Sequence, residues 1–165
     1  MPISARMAYG DLVLPLVFAP IVLAALVYTV RAVVGWAAVR GEAQSDYDYR
    51  AANGMVPRGV GQQDYIATYR RVNGPRGSIH AAAALWAMLL ATPLIAVIME
   101  FLLNQLWLAT GQSRVFEPGY LVWAFFIFFG LMGAWAAIGF IAARRYHKHA
   151  PARFEDELRR RSVTL

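Results

Sequence analysis

Few side chains in this sequence have the type and surroundings to do chemistry, and Glu100 is the first of them. It is the acidic residue inside an otherwise apolar run that begins at Ala81 and reaches Leu108. A carboxylate within a membrane span is by default a proton carrier or an ion site. Asn104 stands one helical turn further along the same face, so the competing reading is a polar patch that reaches the interface near the end of the span. No second charged residue occurs at matching depth, and a two-residue relay cannot be drawn within the chain.

His80, His147 and His149 raise the question of a metal or haem. His147 and His149 lie two apart, diverge on a helix, and belong to a strongly cationic tail that disfavours a cation. Haem held between membrane helices needs axial ligands inside the spans, and His80 stands alone at the edge of one. With no Cys, thiolate metal sites, iron–sulfur clusters and disulfides are excluded. The sequence therefore predicts no metal and no cofactor. GVG and NGPRG lack the spacing and the Lys of a phosphate loop, and neither HExxH nor GxSxG occurs.

The remaining chemical residues are cations and tyrosines. In DYIATYRRV, residues 64–72, a short helix capped by Asp64 places Tyr65, Ile66, Tyr69 and Val72 on one side and Arg70 and Arg71 on the other. This pattern predicts a helix lying on a membrane surface or docking a partner. Tyr65, Tyr69, Arg70 and Arg71, with Arg31, Trp36, Arg144 and Arg145 beside the apolar runs, are the expected interfacial or anionic-lipid contacts.

The elements that must carry these residues are apolar. Of 165 residues 59% are hydrophobic, and the mean hydropathy of +0.43 is that of a membrane protein. Residues 121–143 contain no charge and run into Arg144 and Arg145, enough to cross a hydrocarbon core about 30 Å thick. Residues 12–30 form another run, closed by Arg31, with Pro15 expected in its first turn and Pro20 inside. It reads as an uncleaved span and not a secretory signal, because an acidic residue leads it and the run is full length. Residues 81–108 would make about 42 Å of helix, which must tilt, kink at Pro93 or emerge. The fold expected is an all-α integral membrane protein, one domain of three transmembrane helices near 12–35, 79–108 and 119–145. A connection over 40–78 and a basic tail over 146–165 complete it.

Charge orients these spans. Seven Arg, counting Arg31, fall between the first two spans and seven Lys or Arg in the tail, against Arg6 and Arg114 in the other two segments. Fourteen against two is a strong positive-inside bias, so the sequence predicts the N-terminus outside and the long connection and tail in the cytoplasm. That placement also explains the net charge of +6 and makes nucleic acid an unneeded partner. In the tail, Glu155, Asp156 and Glu157 stand four residues before Arg159, Arg160 and Arg161, so a helix there gains three i,i+4 pairs.

Lipid gives helices no hydrophobic reason to associate, so small residues that allow close backbone approach mark packing seams. On the third span Gly130, Gly133, Ala134 and Ala137 share one stripe, opposite Phe125, Phe128, Met132 and Trp135. These features point to a non-catalytic accessory subunit that binds the bilayer, its anionic lipids and other membrane subunits. By analogy the host is an energy-transducing respiratory complex of a bacterial inner membrane. The alternatives are a homo-oligomeric transporter or channel using Glu100, and a membrane enzyme acting on an anionic lipid or conjugate.

Overall fold

The computed structural model describes residues 3–163, with side chains described for 18–162. Five α-helices follow one another: α1 Ile3–Ala52, α2 Gln62–Asn73, α3 Arg76–Ala109, α4 Leu121–Lys148 and α5 Phe154–Val163, with a 3-10 turn at Arg114–Phe116. Among the described residues there is no strand. Three stretches, Phe18–Ala52, Arg76–Ala109 and Leu121–Lys148, are long and apolar enough to cross a membrane.

The first helix is longer at both ends than the apolar run alone implies. It begins at Ile3, so Pro15 is not in its first turn, and it runs thirteen residues into the polar connection expected from residue 40. Local bonds explain the extension: Gln44 donates to Asp48 over 3.0 Å, and Arg50 pairs with Asp46 at 3.3 Å, both at helical i,i+4 spacing. The helix stops where Asn53 and Gly54 make a turn, with Gly54 in the left-handed region at φ +65°. From Phe18 to Ala52 its 35 residues span about 52 Å, far more than a hydrocarbon core, so a helix that enters the bilayer here must also leave it.

Asp64 lies in the first turn of α2, where a carboxylate favours the helix dipole, but it does not cap the helix. Gly61 is the N-cap, without a side-chain bond, and Asp64 pairs with Arg161 of α5 at 3.2 Å. That bond connects positions 97 residues apart, a role for a tail arginine that local i,i+4 pairing does not suggest. The chain turns again at Gly74–Pro75, and α3 begins at Arg76.

The chain divides into two compact units. The first comprises Met1–Ala25 and Ala83–Arg144. Within it α4 meets α3 through Gly130, where an added Cβ would come within 2.6 Å of the Met99 methyl, and through Trp135, whose Nε1 donates to Thr92 Oγ1 over 3.1 Å. Phe18 of α1 completes this contact, its ring edge-on to Trp135 with centroids 6.3 Å apart. The α3 side of the seam thus carries Met88, Thr92 and Met99, one or two turns apart, while Ala83 and Ala87 are exposed.

The second unit comprises Leu26–Ala82 and Arg145–Leu165. Its core is Val60, Tyr65 and Leu158, with Tyr47, Val56, Tyr69 and Phe154 packed around them. Four separate segments meet there: the end of α1, the following turn, α2 and α5. Gly35 of α1 allows Pro75 to approach, since a Cβ at that position would lie 2.8 Å from the Cβ of Pro75. On the part of α1 in this unit, buried Ala32, Val39 and Ala43 stand seven and four residues apart, the spacing of a left-handed packing seam.

Candidate functional site

The most densely connected side chains surround Tyr65. Its ring is fully buried, edge-on to Tyr47 at 5.3 Å and to Phe154 at 5.2 Å, and Phe154 in turn meets Tyr69 at 5.4 Å. The Tyr65 hydroxyl donates a hydrogen bond to Asp46, whose carboxylate also pairs with Arg50. Burial pushes the Tyr65 phenol well above its ordinary range, and the bond to Asp46 adds to this, against a smaller opposing pull from Arg50. Tyr69 is raised for the same first reason, with the Asp46 and Glu42 charges next. A phenol held protonated in this way is a structural donor, not a nucleophile or base at neutral pH.

The cationic residues separate into those committed to the protein and those left at its surface. Arg70 stacks over Trp36, its guanidinium 4.8 Å from the ring centroid, and its Nε is buried without a hydrogen-bond partner. Two residues expected at an interface are therefore brought together. Arg31, Arg71, Arg144 and Arg145 are exposed. Tyr65 has no exposed surface to offer a lipid, whereas Tyr69 is partly exposed. The helical face read from the sequence, with Tyr65, Ile66, Tyr69 and Val72 together, is the less exposed face of α2.

Glu100 is exposed on α3, flanked along the helix by exposed Val97 and Phe101, with Asn104 also exposed. The small stripe on α4 is split: Gly130 and Ala134 are half-buried, while Gly133 and Ala137 are exposed, and nothing lies within 4 Å of a Cβ placed at Gly133. Among the described residues no group of three His, Asp or Glu is placed to hold a metal ion. His80 instead bonds the Arg76 carbonyl at 2.9 Å and meets Tyr146 edge-on.

This split gives a direct comparison. Gly130→Leu should destabilise the isolated chain by about 1–3 kcal/mol, because Met99 must move from a packed position. Gly133→Leu should leave its melting temperature in detergent nearly unchanged, and any effect it has should be confined to assembly with another helix. Equal destabilisation by both changes would contradict the observed seam.

Phe154, Asp46 and Gly35 were not singled out by sequence, and Arg161 was read only as a local i,i+4 partner within the tail. For Asp46 a signal was present, since it lies four residues before Arg50 on the same helix face. Nothing local marks Phe154 or Gly35, whose partners are distant in the chain.

The fold defines the chain as an all-helical protein with three helices of membrane-crossing length and apolarity. No family model, curated protein or solved structure matches it.

Proposed function

We propose that the chain is a non-catalytic accessory subunit of a larger membrane complex, with its long connection and tail in the cytoplasm. The observation that carries this reading is where the ordered side-chain core lies. Among the described residues it is built from aromatic and aliphatic groups of the end of α1, the following turn, α2 and α5, and not from polar groups converging within a span. That unit suits a scaffold, and the apolar helices present large exposed side chains, such as Leu90, Leu94, Phe101, Phe129 and Phe140, to lipid or to neighbouring helices. The host is proposed to be an energy-transducing respiratory complex of a bacterial inner membrane, on the fold-level ground that such assemblies carry many small helical subunits. Purification in mild detergent, with mass spectrometry of the co-purifying chains, tests this. A stable complex containing different polypeptides is expected, and a homogeneous monomer would overturn it.

One observation favours a second reading, a homo-oligomeric transporter or channel. Glu100 is presented outward from a span, so it must meet water, a headgroup or another chain, and several copies could form a ring of carboxylates. Glu100→Gln separates the two. For an accessory subunit the change should leave assembly and host turnover within about a factor of two, as an exposed polar substitution does. A loss of more than about tenfold with an intact complex would put the second reading first, because an amide cannot bind and release a proton near neutral pH.

A further inference from the structure

Within the second unit a cleft of about 500 Å3 opens between the start of α3 and the segment that joins α4 to α5. Its lining includes Arg76, Gly77, Ser78, Tyr146, Pro151 and Arg153, and no Asp or Glu is among the residues that form it. The size falls in the range of small-molecule sites. Two guanidinium groups without a carboxylate make its charge positive.

The two arginines are held differently. Nη2 of Arg76 donates to the carbonyls of His149 at 2.6 Å and Tyr146 at 3.3 Å, and its guanidinium lies 5.4 Å from the Tyr146 ring centroid. This anchors Arg76 on the C-terminal carbonyls of α4 and leaves its Nε and Nη1 donors without a partner among the described residues. The backbone of Arg153 is fixed where its carbonyl accepts from the amides of Asp156 and Glu157, each at 3.0 Å. Its side chain is exposed and has no partner among the described residues. A structural role thus accounts for the Nη2 bonds of Arg76 and its contact with the Tyr146 ring, and for nothing on the Arg153 side chain.

Position in the sequence narrows the ligand. The apolar run of α3 starts at Ala81, three residues after Ser78, and that of α4 ends at Ala143, three residues before Tyr146. The cleft therefore belongs at the level where spans meet headgroups, and paired guanidinium donors suit the paired oxygens of phosphate. We propose that this cleft binds a phosphate oxyanion between Arg76 and Arg153, supplied either by an anionic lipid headgroup or by free phosphate. The proposal does not depend on the chain having partner subunits.

The full chain in mild detergent, titrated with phosphatidylglycerol and with inorganic phosphate and followed by native mass spectrometry, tests it. Arg153→Gln should weaken binding about fivefold to tenfold, as loss of one cation beside a phosphate does, whereas Arg153→Lys should stay within about twofold. Because Arg153 is exposed and its side chain unbonded, the variant should fold, and an unchanged melting temperature verifies this. Arg159→Gln, an exposed arginine on α5 outside the cleft, should bind as the unaltered chain does. Displacement of the lipid by millimolar inorganic phosphate identifies free phosphate as a ligand, and retention of the lipid identifies the headgroup. Binding of neither, or equal weakening by Arg153→Gln and Arg159→Gln, would overturn the proposal.

Discussion

Replacing Tyr65 by alanine should destabilise the second unit by about 3–5 kcal/mol, the usual result of truncating a buried aromatic ring. The ring touches Tyr47 and Phe154, so its removal opens a cavity between α1, α2 and α5 at once. Asp46 would also lose the phenol, keeping Arg50 as its partner. Tyr49, exposed on the same stretch of α1, supplies the comparison: Tyr49→Ala should change stability by less than about 0.5 kcal/mol. Limited proteolysis of the full chain in detergent would read the difference as cleavage in the segment between α1 and α2. Equal protection in both variants would mean that the cluster is not a core.

The same residue sets a pH dependence. Its folded phenol is raised above the ordinary value near 10, so its contribution is complete below about pH 10, where the unfolded tyrosine is also protonated. As pH rises further, the unfolded chain ionises first and the contribution is lost. Tyr65→Phe should remove this alkaline loss, at the cost of the bond to Asp46, about 1.5–3 kcal/mol for a hydrogen bond to a charged group.

How much of this was legible in the sequence varies with the distance over which each feature is determined. The spans were legible because some twenty consecutive apolar residues are a local property, and the structure has three helices of that length and character. Asn53–Gly54 and Asn73–Gly74 are turn signals of the same local kind, and α1 and α2 end at them. The continuation of α1 to Ala52 was not, since residues 41–52 are mostly polar and only Ala43 and Tyr47 extend the apolar side, and the helix persists there through i,i+4 side-chain bonds. On α2 the sequence grouped the correct face but could not tell what covers it. Phe154 and Leu158, which provide the cover, come from nearly a hundred residues further on. Gly130 illustrates the limit on the other side: a small stripe was visible, and only the position of Met99 distinguishes Gly130 from Gly133.

The reading as a whole rests on three membrane crossings with the arginine-rich connection and tail on the same, cytoplasmic side. The expected effect of a topology reporter is all-or-none, because a fused domain lies on one side of the bilayer or the other. Fusions after Arg58, in the turn between α1 and α2, and after Leu165 should both report the cytoplasm. A fusion after Gln112, between α3 and α4, should report the opposite compartment. This follows from fourteen cations against two and from the contacts of α5 with α2, which require the tail and the connection to share a compartment. Cytoplasmic signals from the first two and an external signal from the third are the predicted result. An external signal after Arg58 or Leu165 would contradict the account.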